Sequence, residues 1–286
     1  IPFVLGSQKD IRAQASRNDW LTRNENMNTL YTSMSSSNLV LRSTVEPFNK
    51  FRIELSANRM QSLNHQEYYR WSESDNMFSS FSPSQQGTFS ISFISWRTAF
   101  NKNNEDFSSE TFAKFRNYRN EISKRIAAQN PNYSGLIDST GFPEGYGSTS
   151  QEVLIPAFLA AYSGKDALGA SLNSMPIIPL PNWRVNYDGL MQIKIIKKRF
   201  QAFTIGHAYR STYSIGSFAS SLDYIENNGY SALINTNTGN FFSKYEIGQV
   251  TINEQFSPLI KIDMTWKNSL ITKLEVKKNR TLSLSL

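Results

Sequence analysis

Three acidic residues in the middle of the chain are the first candidates for chemistry. Asp138, Glu144 and Glu152 follow one another at short intervals, and two carboxyl groups flanking a bond can hydrolyse a glycoside. Nothing in their spacing makes the side chains converge, and acidic residues scattered along a loop are ordinarily solvated. We therefore expect no catalytic pair here.

Histidine and cysteine chemistry is equally poorly supported. The chain of 286 residues contains two His and no Cys, which excludes disulfides, Cys-ligated zinc, iron–sulfur clusters and thiol nucleophiles. His65 and His207 are far apart, and His207 lies in an alternating segment where a structural or pore-lining role is expected. The sequence has no nucleophile elbow, Walker loop or dinucleotide fingerprint. We expect a protein that is not an enzyme and has no metal or cofactor.

Basic clusters raise the question of nucleic acid. The formal net charge is +7, and the basic residues cluster at 114–125 and 194–199. Acidic residues interrupt the first cluster, so a solvated helix face explains it. The second lies between two β segments, where it could meet the phosphates of lipid headgroups. We expect no nucleic-acid partner.

Alternation of apolar and polar residues is the strongest structural signal, and it indicates strands with two unlike faces. In the two clearest segments the apolar positions are Phe51, Ile53, Leu55, Ile260, Ile262 and Met264. The polar positions between them are Arg52, Glu54, Ser56, Lys261, Asp263 and Thr265. A soluble sandwich and a membrane barrel both produce this pattern. In a barrel, the first set faces lipid and the second faces the lumen.

The connections favour the barrel. Short links are predicted at 46–50, 256–258, 267–269 and 278–280, and long ones at about 101–182 and 219–240. Strand counting puts both long links on one side, as in outer-membrane barrels. No stretch approaches the length of a membrane-spanning helix.

The chain divides into three segments. Residues 1–100 and 183–286 are predicted to be barrel strands, and 101–182 a helical and loop insertion with period 3.6. This insertion is expected to form a cap or a lumen element. Because the alternating run Thr281–Leu286 ends without a turn, we expect the chain to be a segment of a larger single-chain barrel.

Three phrases resemble the SprA/Sov family, the outer-membrane translocon of the type IX secretion system. They are Leu5–Arg12, Pro179–Leu190 and His207–Phe218. The family-like residues within the last two are Asn182, Trp183, Arg184, Tyr187, Tyr209, Arg210 and Tyr213.

The resemblance implies a very large transmembrane β-barrel, all-β and antiparallel, in the outer membrane of a Gram-negative, Bacteroidota-like bacterium. Such a barrel exports folded cargo proteins to the cell surface and serves gliding motility. It also implies a PorV-like partner barrel and a periplasmic plug protein. Two alternatives stay open: a segment of a small-solute barrel (a porin or nutrient receptor), or a soluble extracellular β-domain that binds glycan.

Overall fold

The computed structural model describes residues 10–102 and 108–286, so most of the Leu5–Arg12 phrase lies outside the described residues. The helices are α1 (Arg12–Arg17), α2 (Glu110–Ala127), α3 (Gln151–Ser163) and α4 (Lys194–Arg199). The strands are β1 (Tyr31–Phe48), β2 (Phe51–Ser72), β3 (Met77–Ser92), β4 (Asn182–Tyr187), β5 (Phe200–Ser220), β6 (Glu226–Asn227), β7 (Tyr230–Ser231), β8 (Tyr245–Ile247), β9 (Gln249–Trp266) and β10 (Ile271–Ser285).

One antiparallel sheet contains all the long strands, in the order β1-β2-β3-β5-β9-β10. Strand β4 also lies between β2 and β5, so β3 and β4 occupy one strand position in two pieces. Strand β8 pairs with the end of β5 just before β9 takes over. The chain is therefore mainly antiparallel β with a helical insertion, as the alternation predicted. Within the described residues, β1 and β10 each have one unpaired edge.

The two ends of the sheet have different connections. At the end that we call lower, residues 49–50 join β1 to β2, and residues 267–270 join β9 to β10. At the upper end, residues 73–76 join β2 to β3, and the long segment 221–244 joins β5 to β8. The links predicted at 256–258 and 278–280 are wrong, because β9 and β10 continue through them with shifts of register.

The insertion begins earlier than the sequence suggested. The chain leaves the sheet after Ser92 and returns at Asn182. The sequence places this boundary too late because the alternation of Phe89, Ile91 and Phe93 continues past the end of the strand. Ser109 caps α2 by accepting a hydrogen bond from the Phe112 N–H at 3.4 Å. Gly164 ends α3 with a φ of 68°, a left-handed conformation that glycine adopts without strain.

The core lies between the insertion and the upper half of one sheet face. Strands β3, β5 and β9 contribute Phe89, Ile91, Tyr213, Ile215, Val250 and Ile252. The insertion contributes Phe115, Ile122, Ile126, Val153, Ile155 and Phe158. The insertion is thus the cover of the upper half-sheet, with α2 packed on α3 through Phe115 and Phe158. No helix in the described part of the chain is long and apolar enough to cross a membrane.

Helix α1 packs at the upper end of the sheet. Arg12 forms an ion pair with the carboxylate of Glu67, a residue of β2 that is 1% exposed. The Arg12 guanidinium also lies over the rings of Tyr31 and Tyr69, at 5.2 and 5.5 Å from their centroids. Cation–π contacts and a buried ion pair thus hold this short helix in place.

Candidate membrane-facing and lumen-facing surfaces

The pairing register shows which predicted residues share a face, because directly paired residues point to the same side of a sheet. Leu55 pairs with Trp183, which pairs with Tyr209, which pairs with Phe256. All six residues predicted to face lipid follow this parity and lie on one face, which we call the apolar face: Phe51, Ile53, Leu55, Ile260, Ile262 and Met264.

The predicted lumen residues share the opposite side. Arg52 pairs with Asn186, Asn186 with Gly206, and Gly206 with Lys261. This side, the polar face, therefore holds Arg52, Glu54, Ser56, Lys261, Asp263 and Thr265. The lipid or water that each face contacts is part of the proposal below.

The lower half of the apolar face is bounded by aromatic rings at both limits. At the lower end, Phe48 stacks on Phe51 with centroids 4.6 Å apart, and Phe200 lies 4.3 Å from Trp266. At the upper limit, Trp183 stacks on Tyr209 at 4.4 Å, and Phe256 lies 5.0 Å from Tyr209. We call the surface between these two rows the apolar band.

The height of the apolar band is close to that of a membrane barrel. From Phe256 to Trp266, β9 has ten residue steps, but the five steps from Phe256 to Lys261 lie opposite only three steps of β5, from Tyr209 to Gly206. The eight ladder steps that remain are about 26 Å at about 3.3 Å per residue. A tilt of about 40° reduces this length to about 20 Å along the membrane normal, against about 25 Å in outer-membrane barrels. Aromatic girdles at the interfaces are typical of those barrels, and the exposed Phe48 of the lower row fits such a girdle, whereas Tyr209 and Phe256 of the upper row are buried with Ala99.

A buried polar cluster separates the apolar band from the covered upper half. The Glu254 carboxylate of β9 is 1% exposed and forms a 2.8 Å ion pair with Arg280 of β10. It also accepts hydrogen bonds from Ser95 Oγ at 2.6 Å and Tyr209 Oη at 2.9 Å. Arg280 donates to the carbonyl of Thr98 at 2.8 Å. The first turn of the insertion is thereby fixed to three strands of the sheet.

Side chains complete the hydrogen bonding where the strand position is interrupted. The Asn58 N–H of β2 donates to Ser92 Oγ at 3.0 Å, and the Ser211 N–H of β5 donates to Asn182 Oδ1 at 2.8 Å. The Ser211 carbonyl accepts from the Phe93 N–H at 3.1 Å. An insertion can therefore leave mid-sheet without exposing unpaired backbone groups, a requirement for any wall within a bilayer.

The position of the insertion makes two of the predictions from the sequence incompatible: an insertion inside the lumen, and a lipid-facing apolar face. Residues 101–182 were expected to be a cap or a lumen element, and Ile53 and Ile262 to face lipid. The insertion packs on the same face as Ile53 and Ile262, above the apolar band. A lumen position for the insertion and a lipid-facing position for these residues thus exclude each other.

The polar face carries charges of both signs. Arg52 pairs with Glu54 at 3.1 Å, Lys261 with Asp263 at 2.6 Å, and Lys277 with Glu275 at 3.1 Å. These pairs are substantially exposed, so each contributes little to stability. They make the face strongly hydrated.

The family-like residues surround the strand break and divide between the two faces. Asn182 completes the hydrogen bonding of the break, and Trp183 and Tyr209 form the upper aromatic row. Arg184 and Arg210 lie on the polar face, and Tyr187 stands edge-on to Phe51 at the lower row. Tyr213 is fully buried beneath the insertion and donates to the Ser174 carbonyl at 2.9 Å.

The candidate acids have local roles in separate turns and a helix. Asp138 accepts from the hydroxyl and N–H of Thr140, and these hydrogen bonds lower the pKa of its carboxyl. Glu144 accepts from Ser134 Oγ at 2.6 Å. Burial at the start of α3 raises the pKa of Glu152 to about 7.

The two histidines lie in different parts of the sheet. His65 is 3.2 Å from the Glu67 carboxylate, and His207 Nδ1 lies 2.7 Å from the Leu259 carbonyl. Residues 10–102 and 108–286 contain no group of three or more His, Cys, Asp or Glu side chains that could hold a metal ion.

Sequence reasoning missed the Glu254–Arg280 pair and the basic residue Arg42. Glu254 occupies an apolar position of β9, after Val250 and Ile252 and before Phe256. A charge at such a position signals a buried partner, but Arg280 was placed in a turn and so was not considered. Arg42 lies on the polar side of β1, and a single basic residue among Ser and Thr carries no signal in the sequence.

No model of a known protein family matches the chain, and no curated protein matches it either.

Proposed function

We propose that this chain is part of the wall of a protein-conducting outer-membrane β-barrel. The observation that carries the proposal is the apolar band, about 20 Å high, on long strands whose opposite face is charged and hydrated. Lipid would cover the apolar band, and water would fill the lumen on the polar face.

A soluble sandwich accounts for this surface less well. A sandwich covers the apolar face of each sheet with a second sheet. The insertion covers the upper half of this face, and no described element covers Ile53, Ile262 or Met264. The free edges of β1 and β10 are a second argument. Within a bilayer their backbone N–H and C=O groups would need neighbouring strands as hydrogen-bond partners. The rest of the same large barrel would supply them.

The ends of the sheet suggest an orientation. Outer-membrane barrels have short periplasmic turns and longer extracellular loops, so the lower end would face the periplasm and the upper end the cell surface. The insertion would then stand on the outside of the wall, above the bilayer. Helix α4 would lie at the periplasmic interface, where Lys197, Lys198 and Arg199 can meet lipid phosphates.

The export of folded proteins rests on the resemblance to the SprA/Sov family. That resemblance supports secretion of cargo to the cell surface and a role in gliding motility in a Bacteroidota-like bacterium. It also supports association with a PorV-like barrel and a periplasmic plug protein. A hydrated polar face with charges of both signs suits a pore that passes many cargo proteins without retaining one. The wall would do no enzymatic chemistry.

Site-specific crosslinking during export tests this function. A photo-reactive amino acid at Ser56 of the full-length protein should crosslink to polypeptide cargo arrested during secretion. The same group at Leu55, one residue away on the apolar face, should crosslink to lipid only.

Cargo adducts at Leu55, or no polypeptide adduct at Ser56 while secretion proceeds, would contradict the proposal. A small-solute barrel would give the second result together with permeation of small solutes.

A further inference from the structure

Three arginines of the polar face lie together in one recess. Arg42, Arg184 and Arg210 line a concavity of ≈ 680 Å³, in which Glu54 is the sole acidic residue among the described lining residues. Arg42 and Arg210 belong to one row of the sheet, which runs from Arg42 through Ser56 and Asn182 to Arg210. Arg184 belongs to the next row, directly opposite Glu54.

These arginines have no partner, unlike three other cations of the polar face. Arg52, Lys261 and Lys277 each pair with a carboxylate on their own strand. Arg42, Arg184 and Arg210 are exposed and form no ion pair or side-chain hydrogen bond with any residue that the structure describes. Glu54 forms its ion pair with Arg52, at 3.1 Å, and none with Arg184.

The geometry points to a binding surface for acidic polypeptide segments, and we propose that Arg42, Arg184 and Arg210 form it. A concave surface with unpaired charges of one sign concentrates counter-ions and ligands of the opposite sign. Guanidinium groups bind carboxylates through paired, charge-assisted hydrogen bonds.

The spread of the three arginines favours a chain of carboxylates over a single small anion. Three strand spacings separate Arg42 from Arg210, about 14 Å at about 4.8 Å each. Carboxylates on alternate residues of an extended peptide lie about 7 Å apart, so one segment can contact more than one arginine. Gln255 and Asn58 also line the recess and can hydrogen-bond to a peptide backbone.

The identity of the ligand rests on the proposed function: it would be cargo that passes through the lumen. Binding must be weak enough for release, and exposed charge pairs are weak in water. Acidic segments would thus be guided along this part of the wall without being held.

Peptide binding to the full-length, detergent-solubilised protein tests the proposal without requiring a functional channel. The probes are a fluorescent peptide with Glu at alternate positions and its Gln analogue, followed by anisotropy. The Arg42→Gln/Arg184→Gln/Arg210→Gln variant should bind the Glu peptide about tenfold more weakly, since three exposed pairs each contribute modestly. Raising the salt concentration should weaken wild-type binding.

A matched control removes three cations elsewhere on the same face. The Lys261→Gln/Lys273→Gln/Lys277→Gln variant should bind the Glu peptide within about threefold of the wild type, since none of the three lysines lines the recess and two of them already pair with carboxylates. An equal loss in both triple variants would assign the effect to net charge and overturn the proposal.

Two further outcomes would also overturn it. The first is a Glu peptide that binds no better than the Gln peptide. The second is competition by inorganic phosphate or anionic lipid at the same concentration as the peptide carboxylates, which would indicate a small-anion or headgroup site. Arginine-dependent peptide binding without cargo crosslinks at Ser56 would leave the surface established and contradict the proposed function instead.

Discussion

Ile262 of β9 lies near the middle of the apolar band, four ladder steps from Trp266 and, because of the bulge after Phe256, also four from Phe256. We predict that Ile262→Arg destabilises the assembled full-length barrel by roughly 2–4 kcal/mol, because it would place a charge at the bilayer midplane. The matched control is Thr204→Arg on β5, which places the same side chain on the polar face opposite Asp263. Urea unfolding in lipid vesicles measures both. Equal losses in the two variants would contradict the facing assignment.

Arg280 shares a buried ion pair with Glu254 at the upper limit of the apolar band. Arg280→Met leaves the Glu254 carboxylate buried without its counter-charge, and we predict a cost of about 3–5 kcal/mol. Adding Glu254→Gln should restore part of this loss by removing the buried charge. The exposed pair Lys277–Glu275 provides a control, since Lys277→Met should cost about 0–1 kcal/mol. An Arg280→Met effect as small as the control's would show that the cluster does not fix the insertion to the sheet.

Glu152 gives a pH dependence whose sign follows from its burial. Its pKa rises from 4.5 to about 7 in the folded chain, so the unfolded chain loses its proton first as the pH increases. The carboxyl therefore destabilises the insertion progressively between about pH 4.5 and 7. We predict that Glu152→Gln stabilises α3 at pH 8 and has no effect at pH 4, measured by hydrogen exchange of the α3 amides. A stabilisation that is the same at both pH values would exclude titration of Glu152 as its cause.

Helix α2 packs on α3 through one side only. Ile122 is 0% exposed in the core shared with β3, β5 and β9, whereas Phe112 is 50% exposed. We predict that Ile122→Ala costs about 2–5 kcal/mol and that Phe112→Ala changes stability by less than about 1 kcal/mol. Hydrogen exchange should then accelerate together in α2 and in the upper parts of β3 and β5. Acceleration confined to α2 would mean that the insertion is a separately folded cap.

The sequence predicts some elements well and others poorly for identifiable reasons. The segments around Ile53 and Ile262 alternate cleanly because one face is apolar and the other is polar. The upper part of β2 does not alternate, since Arg59 and Gln61 lie under the insertion and His65 and Glu67 belong to a buried polar cluster. Alternation therefore does not predict this upper part of β2.

The face that the insertion covers was beyond sequence reasoning. Alternation separates two faces but does not indicate which one a helix packs against. The helical stripe containing Ile122 and Ile126 predicts burial against protein, and both faces of the sheet offered a position. The strand break was hidden as well, because Ser92 and Asn182 are ordinary polar residues in the sequence. Their role depends on the backbone groups of Asn58 and Ser211, which only the register brings close.

On the scale of the whole molecule, the sheet has two tiers on its apolar face and one continuous polar face behind them. The upper tier is covered by the insertion, and the lower tier is the apolar band between its two aromatic rows. The cluster of Glu254 and Arg280 marks the level at which one tier changes to the other. Under the proposed function, the strands would extend beyond the bilayer on one side and carry a protein layer there.

The central claim is that lipid contacts the lower part of the apolar face and water the polar face. The 286 residues contain no Cys, so a single cysteine can be introduced and spin-labelled at each position along 51–56 and 260–265 without competing thiols from this chain. In lipid vesicles, we predict that the collision rate of the spin label with dissolved oxygen, measured by electron paramagnetic resonance, is highest at Phe51, Ile53, Leu55, Ile260, Ile262 and Met264. Collisions with a water-soluble nickel complex should peak at the residues between them. Loss of the two-residue period, or its reversal, would contradict the membrane-wall account.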